Sequence, residues 1–216
     1  MASKDGKSIS LAQDLYRDVP ASAFQKLRPL ICPFDALVES IPPGARVLDV
    51  GCGSGLFLGL LAATGKLSYG LGFDTNAGAI ARAEQMSQKL AGKVQLEFQQ
   101  RDVSEGWPEG LFDVVSVVDV MHHVPPEHQA SVIQLAATRL KPGGLLLYKD
   151  MVQRPHWRAF MNRMHDLVLA RQWINYASIG DVRRWMEHAD LEVGELQRFD
   201  MLWYGHELLI ARAKAH

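Results

Sequence analysis

Apolar and polar positions switch between a helical and an extended rhythm along the chain, and each switch marks an element. From Ser8, the apolar positions Leu11 and Leu15, then Phe24, Leu27, Leu30, Phe34, Leu37, Val38 and Ile41, recur at helical intervals. They predict two amphipathic segments broken at Pro20, behind a polar stretch of residues 1 to about 7 that is expected to be disordered. Ile41-Pro42-Pro43-Gly44 is a turn. Val47, Leu48 and Val50 predict a buried strand running into Gly51, Gly53 and Gly55, followed by an apolar helix from Leu56 that stops at Gly65. Ser68 to Phe73 is a second strand ending at Asp74, and a helix runs from Ala77 to Leu90 with Asn76 or Thr75 as its N-cap. Val94 to Phe98 alternates as a third strand.

Leu111 to Val120 is almost continuously apolar, as a central parallel strand should be. It exits into Met121-His122-His123-Val124-Pro125-Pro126. A helix from Glu127 to Leu140 follows, with Ile133, Leu135 and Leu140 on its buried stripe. Lys141-Pro142-Gly143-Gly144 reads as a sharp turn into a fifth strand, Leu145 to Tyr148, which ends at Lys149-Asp150. Pro155 to Ala170 reads as a helix rich in large side chains, followed by Trp173 and Tyr176. Ile179 to Ala189 is a last helix, and Leu191 to Phe199 and Leu202 to Ala213 are two final strands, the last antiparallel. Strands alternating with helices predict an α/β fold.

Composition narrows the class. The 216 residues, 48% of them hydrophobic, suffice for a single sizeable domain. Basic and acidic residues number 23 and 24, a net charge of −1, which argues against a nucleic-acid partner. Arg154, Arg158, Arg163 and Arg171 read as a solvated helix face. The two cysteines, Cys32 and Cys52, imply no disulfide framework and fit a reducing compartment. The first residues lack the apolar run of a signal peptide, and no apolar segment approaches the roughly eighteen residues a membrane span needs. A cytoplasmic protein with no membrane partner is expected.

Glycines between a buried strand and a helix let a ligand approach the backbone, and the helix behind them offers free N–H groups and a positive dipole end. That arrangement seats an adenosyl-type nucleotide, and Asp74, about twenty residues on, stands where a carboxylate accepts ribose hydroxyls. Leu56 occupies the place of the third glycine of a dinucleotide fingerprint, which disfavours a dehydrogenase. Asp49-Val50-Gly51-Cys52-Gly53-Ser54-Gly55 instead resembles motif I of the class I S-adenosylmethionine (SAM) dependent methyltransferases. Phe112-Asp113-Val114-Val115, His122-His123-Val124-Pro125 and Leu140-Lys141-Pro142-Gly143-Gly144 carry the resemblance across about residues 44 to 150.

The resemblance implies a Rossmann-like three-layer sandwich: a seven-stranded, mostly parallel sheet with its last strand antiparallel. Within one domain it divides the chain into a helical N-terminal lid (1–43), a SAM-binding core (44–150), a helical acceptor cap inserted after the fifth strand (151–190) and C-terminal strands (191–216). The N-terminal lid is equally readable as a packing layer without ligand contact. SAM is the implied cofactor and S-adenosylhomocysteine (SAH) its product. The cofactor-binding candidates are Asp49, Gly51, Cys52, Gly53, Gly55, Asp74 and Thr75, with Asp102 taking the adenine amino group, the Val103 N–H reading the ring, and Asp119 contacting the cofactor's amino group or orienting its loop. Asp102 is also readable as a turn-capping residue, and Cys52 as a small residue that fits.

Methyl transfer needs a positioned nucleophile and, for a hydroxyl acceptor, a base. His122 and His123, leaving the fourth strand, are the catalytic candidates, with packing and turn-capping as the alternative role. Tyr16, Trp157, His165, Tyr176 and His206 are the substrate-binding candidates, beside Phe24, Tyr204 and the alternative that His165 is a core histidine. No metal site is expected, because adjacent histidines chelate poorly and no acid or Cys completes a set. A base-specific nucleic-acid methyltransferase is disfavoured by the segment after strand four. The reading is a methyltransferase acting on a small aromatic or hydroxylated molecule of specialised metabolism. The tail from Tyr148 to Met151 and from Trp203 to Glu207 resembles methyltransferases of aryl-polyene pigment clusters, which implies a carrier-tethered acceptor and carbon methylation as an alternative. A SAM-binding regulatory or scaffold protein without transferase activity is the second. The acceptor and the oligomeric state stay open.

Overall fold

The structure, a computed structural model, describes residues 6–20, 23–152, 175–202 and 204–215. The expected helix over residues 155–170, and with it Trp157, His165, the arginine cluster and Trp173, lies outside the described residues, as does Trp203. The chain divides into two compact units, Met1–Gly106 and Trp107–His216. Its class is Rossmann-like α/β, with parallel strand pairs through the middle of the chain and an antiparallel C-terminal strand.

The first unit holds α1 (Gly6–Leu15), α2 (Ala23–Leu27), a 3-10 turn at Arg28–Leu30, α3 (Phe34–Glu39), β1 (Ala45–Val50), α4 (Leu56–Ala63), β2 (Leu67–Asp74), α5 (Ala77–Gln88) and β3 (Gln95–Gln100). Strands β1, β2 and β3 pair in parallel, Val50 opposite Phe73 and Asp74 opposite Gln100. Helix α4 is apolar all round because every face is covered: Leu56 to Leu61 are all buried, among α1, α3, α5 and the strands. Asn76 caps α5, its side chain accepting from the Ala79 N–H at 3.0 Å.

Two expectations change here. The second amphipathic segment breaks into three short helices rather than one, since Pro29 opens the 3-10 turn and Pro33 stands at the N-cap of α3. Gly6 and Lys7, expected to be disordered, are already helical.

The second unit holds β4 (Phe112–Val118), a 3-10 turn at Met121–His123, α6 (Pro126–Thr138), β5 (Leu140–Met151), α7 (Ile179–His188), β6 (Leu191–Val193), β7 (Gln197–Met201) and β8 (Tyr204–Ala213). Strand β4 runs parallel to β5, and β8 runs antiparallel to β5. Strands β6 and β7 lie on the other edge of β8, Leu191 opposite Ala213 and Met201 opposite Tyr204. The sequence predicted a single strand there. An interruption between Val193 and Gln197, where the Gly194 N–H still reaches the Ile210 carbonyl at 3.0 Å, splits it and raises the strands described to eight.

Leu140 belongs to β5 and not to the preceding helix, and Lys141-Pro142-Gly143-Gly144 forms a bulge within that strand. Phe112 pairs with Leu140, yet Val114 already pairs with Leu145. Among the described residues, no helix is long and apolar enough to cross a membrane.

Candidate functional site

In the first unit the site candidates converge on the turn between β1 and α4. Gly51, Gly53 and Gly55 all have left-handed backbones, at φ 62°, 53° and 79°. Such a run of positive φ is why glycine recurs at alternate positions. A Cβ on Gly53 would meet nothing within 4 Å, so the turn opens outward there. At Gly55 it would lie 2.9 Å from the Phe98 ring and 3.0 Å from the Ala83 Cβ. The space where a Gly55 side chain would stand is therefore taken by side chains of β3 and α5.

Asp74 clasps this turn. Its Oδ2 accepts from the Gly53 N–H at 2.9 Å and its Oδ1 from the Asn76 N–H at 2.8 Å, which ties the end of β2 to the glycine turn and to the start of α5. The carboxylate is half-buried, and each oxygen has further acceptor capacity. Asp49 is buried at the end of β1. Cys52 is buried too, and burial, reinforced by the Asp49 and Asp74 carboxylates, holds its thiol well above the usual range. Its side chain fills the space that the missing Cβ of Gly72 leaves. The turn is thus flanked by negative charge.

Tyr16, expected to face a substrate, is fully buried, and its hydroxyl donates to the Ser54 carbonyl. Burial drives its phenol far above the ordinary range. The Ser54 hydroxyl accepts from Gln25 Nε2 and from Arg82 Nε, both at 3.2 Å. The N-terminal helices are therefore latched onto the glycine turn through Ser54, a residue that sequence reasoning passed over. Phe24 is 46% exposed. Thr75 is exposed, its carbonyl accepting from Gln100. Asp102 Oδ1 accepts from both the Ser104 N–H at 2.8 Å and its hydroxyl at 2.6 Å, so one oxygen caps the local turn; Val103, next to it, is half-buried.

The second unit gathers another group where β4 ends. Asp119 takes a left-handed backbone, φ 56°, which swings the chain out of the strand. Its N–H donates to the Lys149 carbonyl at 2.9 Å, and its Oδ1 accepts from Lys149 Nζ at 2.5 Å. Lys149 has no exposed side-chain surface, so its charge is tolerated only because it is paired. His122 is buried, with Nδ1 2.6 Å from Asp150 Oδ1. His123 is exposed, its ring centroid 4.1 Å from that of His122.

Gln129 Nε2 donates to the Met121, Val124 and Asn175 carbonyls, and the Asn175 N–H donates to the His122 carbonyl at 2.8 Å. This pins Asn175, and with it the neighbouring Tyr176, to the histidine turn. His206 is buried in β8, opposite Met151 on β5 and Phe199 on β7, with its ring stacked 6.2 Å from Tyr204. Among the described residues no cluster of His, Cys, Asp and Glu is arranged to hold a metal.

Residues 23–196 match the family model described as a methyltransferase domain. The ubiquinone biosynthesis O-methyltransferase of Xanthomonas campestris is 31% identical over 140 residues, 64% of this chain and 56% of the relative. That of Marinobacter nauticus is 31% identical over 163 residues, 71% of this chain and 66% of the relative. The chain thus spans little more than half the length of the first of these relatives. Magnesium protoporphyrin IX methyltransferase (ChlM) from Synechocystis PCC 6803, solved with bound SAH, superposes with a TM-score of 0.70 at 19% identity, over 97% of this chain and 95% of that one. The [4+2]-cyclase SpnF superposes at 0.67 and 15% identity, over 85% of this chain and 81% of that one. At such identities the likeness is one of fold alone.

Proposed function

The chain belongs to the methyltransferase-domain family, and from that premise we propose that it transfers a methyl group from SAM to the hydroxyl of a small aromatic acceptor. The observation that carries the reading is the clasp of Asp74 on Gly53, with Asp49 behind it. Of the two carboxylates, Asp74 suits the ribose of either cofactor while Asp49 beside the turn disfavours the pyrophosphate of a dinucleotide, and the Gly53 N–H that a phosphate would need is already given to Asp74. The same charges favour what SAM presents: ribose hydroxyl donors and a cationic sulfonium and ammonium. The open space above Gly53 is where a Cβ would obstruct it.

When bound, SAM supplies a methyl on a positively charged sulfur, which passes to the acceptor oxygen as the carbon–sulfur bond breaks and SAH leaves. On the protein's side, Asp74 takes the ribose hydroxyls, Gly51, Gly53 and Thr75 line the nucleotide, and Asp102 with Val103 takes the adenine. Asp119, fixed by Lys149, orients the turn that carries His122. His122 is the base that removes the acceptor's proton, with the His123 ring packed against it. Tyr176, held next to the histidine turn through Asn175, lines the acceptor. The relatives' name, ubiquinone biosynthesis O-methyltransferase, supports oxygen rather than carbon as the atom methylated.

Titration calorimetry with SAM, SAH and, as control, NADH tests the reading. Both adenosyl ligands should bind, and Asp74→Ala should weaken them by about 1–3 kcal/mol through lost charge-assisted hydrogen bonds. Binding of NADH in their place would overturn the assignment. His122→Ala should keep SAH affinity and lose turnover on a panel of monophenols and catechols. Full turnover in that variant would remove the base.

A further inference from the structure

We propose that Arg82 takes the carboxylate of the cofactor's methionyl end, so that the glycine turn sorts the two charges of that amino-acid group between its opposite sides. The proposal rests on the SAM reading given above and lies wholly within the first unit. It is carried by the place of Arg82, a half-buried cation on α5 whose Nε donates to the Ser54 hydroxyl at 3.2 Å. Among the described residues that hydroxyl is its hydrogen-bond partner, and no carboxylate pairs with it. Arg17, Arg184 and Arg198, by contrast, each reach an acid.

An acid stands close to Arg82 as well, at the end of β2, but its oxygens are engaged elsewhere. Asp74 accepts from the Gly53 N–H with one and from the Asn76 N–H with the other. Arg82 Nη1 lies 3.6 Å from where a Cβ of Gly78 would stand. The guanidinium thus spans from the first turn of α5 to the glycine turn, and Ser54 fixes it there.

The turn is electrostatically two-sided. Burial, reinforced by Asp49 and Asp74, raises the Cys52 thiol. Burial, and after it Cys52, raises the Tyr16 phenol at the Ser54 carbonyl, while Arg28 and Arg82 pull it the other way. The Cys52 side is therefore acidic and the Ser54 side basic. Between them Gly53 opens outward, with nothing within 4 Å of a Cβ placed there. Arg28 packs over the Phe34 ring, 5.9 Å from its centroid, whereas Arg82 is hydrogen-bonded to the turn itself.

An amino-acid zwitterion fits this gradient one way round. Its carboxylate beside Asp49 and Asp74 would meet like charge, whereas beside Arg82 it meets a planar fork of N–H donors matched to its geometry. The ammonium then faces the acidic side. Half-burial raises such a pair above the near-zero contribution of a fully exposed one.

The test compares adenosyl ligands that differ only at that end. Calorimetric titration of the unaltered protein should rank SAH above its carboxamide, which keeps the shape and loses the charge, and above 5′-methylthioadenosine, which lacks the amino-acid group. A carboxamide that binds as tightly as SAH overturns the proposal without any variant. In Arg82→Met the affinity for SAH should fall about 10- to 100-fold, the strength of one charge-assisted contact. Methylthioadenosine should bind that variant as it binds the unaltered protein, which also shows that the variant folds. The carboxamide should lose about twofold or less in Arg82→Met, because the two changes remove the same contact. Arg82→Lys, which keeps the charge and loses the fork, should fall between. Equal weakening of SAH and methylthioadenosine in Arg82→Met would mean that Arg82 only shapes the turn through Ser54, and unchanged SAH affinity would mean that the carboxylate lies elsewhere; either result overturns the proposal. If the unaltered protein binds neither SAH nor methylthioadenosine, the adenosyl reading itself is rejected and the proposal falls with it.

Discussion

The three glycines after β1 are equivalent in spacing and in backbone hand, but their missing side chains serve different neighbours. Gly53 faces open space, whereas Gly55 faces Phe98 and Ala83. The two sites should therefore fail differently. Gly53→Val places a branched side chain at φ 53°, a strain of about 1–2 kcal/mol, and blocks the nucleotide face. It should melt slightly lower and lose SAH binding by 100-fold or more. Gly55→Ala adds a clash with packed side chains to the same backbone strain, and should lose about 2–4 kcal/mol of stability whatever happens to binding. Denaturant melts beside SAH titrations separate them, and equal loss of binding with unchanged stability in both variants would reject the division. Although its hydrogen bond to the Gly53 N–H was not foreseen, the place of Asp74 beside the glycine turn was legible from spacing. The Asp150 pairing with His122 was not. It spans 28 residues and depends on the register of β4 with β5, which no local pattern encodes. Its signal in the sequence was a Lys-Asp pair closing an otherwise apolar strand.

At the scale of elements, periodicity placed the described helices and strands of the middle of the chain within a few residues of where they stand. It failed where backbone chemistry overrides the apolar pattern. Pro29 and Pro33 cut a continuous helical stripe into short pieces, because the pattern of apolar positions takes no account of a missing N–H. Lys141-Pro142-Gly143-Gly144 has the composition of a turn, yet the flanking residues stay paired with β4 and the segment becomes a bulge. Gly144 shows why the bulge tolerates no side chain. A Cβ there would stand 2.9 Å from the Lys141 carbonyl oxygen and 3.2 Å from those of Phe112 and Asp113, all main chain that cannot swing aside. Gly144→Ala should therefore disturb the β4–β5 pairing and cost about 1–3 kcal/mol, read as a lowered midpoint in urea. Because the same pairing delivers Asp150 to His122, turnover should fall further than stability does. A variant with unaltered midpoint and turnover would mean that the bulge relaxes freely.

For the molecule as a whole, the two units carry different parts of the proposed chemistry. Gly53, Asp74 and the N-terminal latch through Ser54 belong to the first unit, and His122, Asp150 and Lys149 to the second. The resemblance was legible over residues 44 to 150, while the family match extends over residues 23–196 and so takes in α2 with Gln25 but not α1 and Tyr16, the other half of the latch. Those helices had no motif to announce them, since their role rests on single hydrogen bonds from Tyr16 and Gln25 to one serine. A ligand that binds the folded chain and not the unfolded one adds RT ln(1 + [L]/Kd), about 2.7 kcal/mol at a hundredfold excess over Kd. For a chain of 216 residues, 1 kcal/mol moves the melting temperature by roughly 2–4 °C. SAH at that excess should accordingly raise Tm by about 5–10 °C, NADH should leave it unchanged, and the rise should vanish in Gly53→Val. His122→Ala and Asp150→Asn should retain it, because neither residue belongs to the nucleotide turn. A Tm unmoved by SAH would reject the adenosyl site, whereas a rise lost in the Asp150 variant would tie the histidine turn to cofactor binding rather than to the proton step.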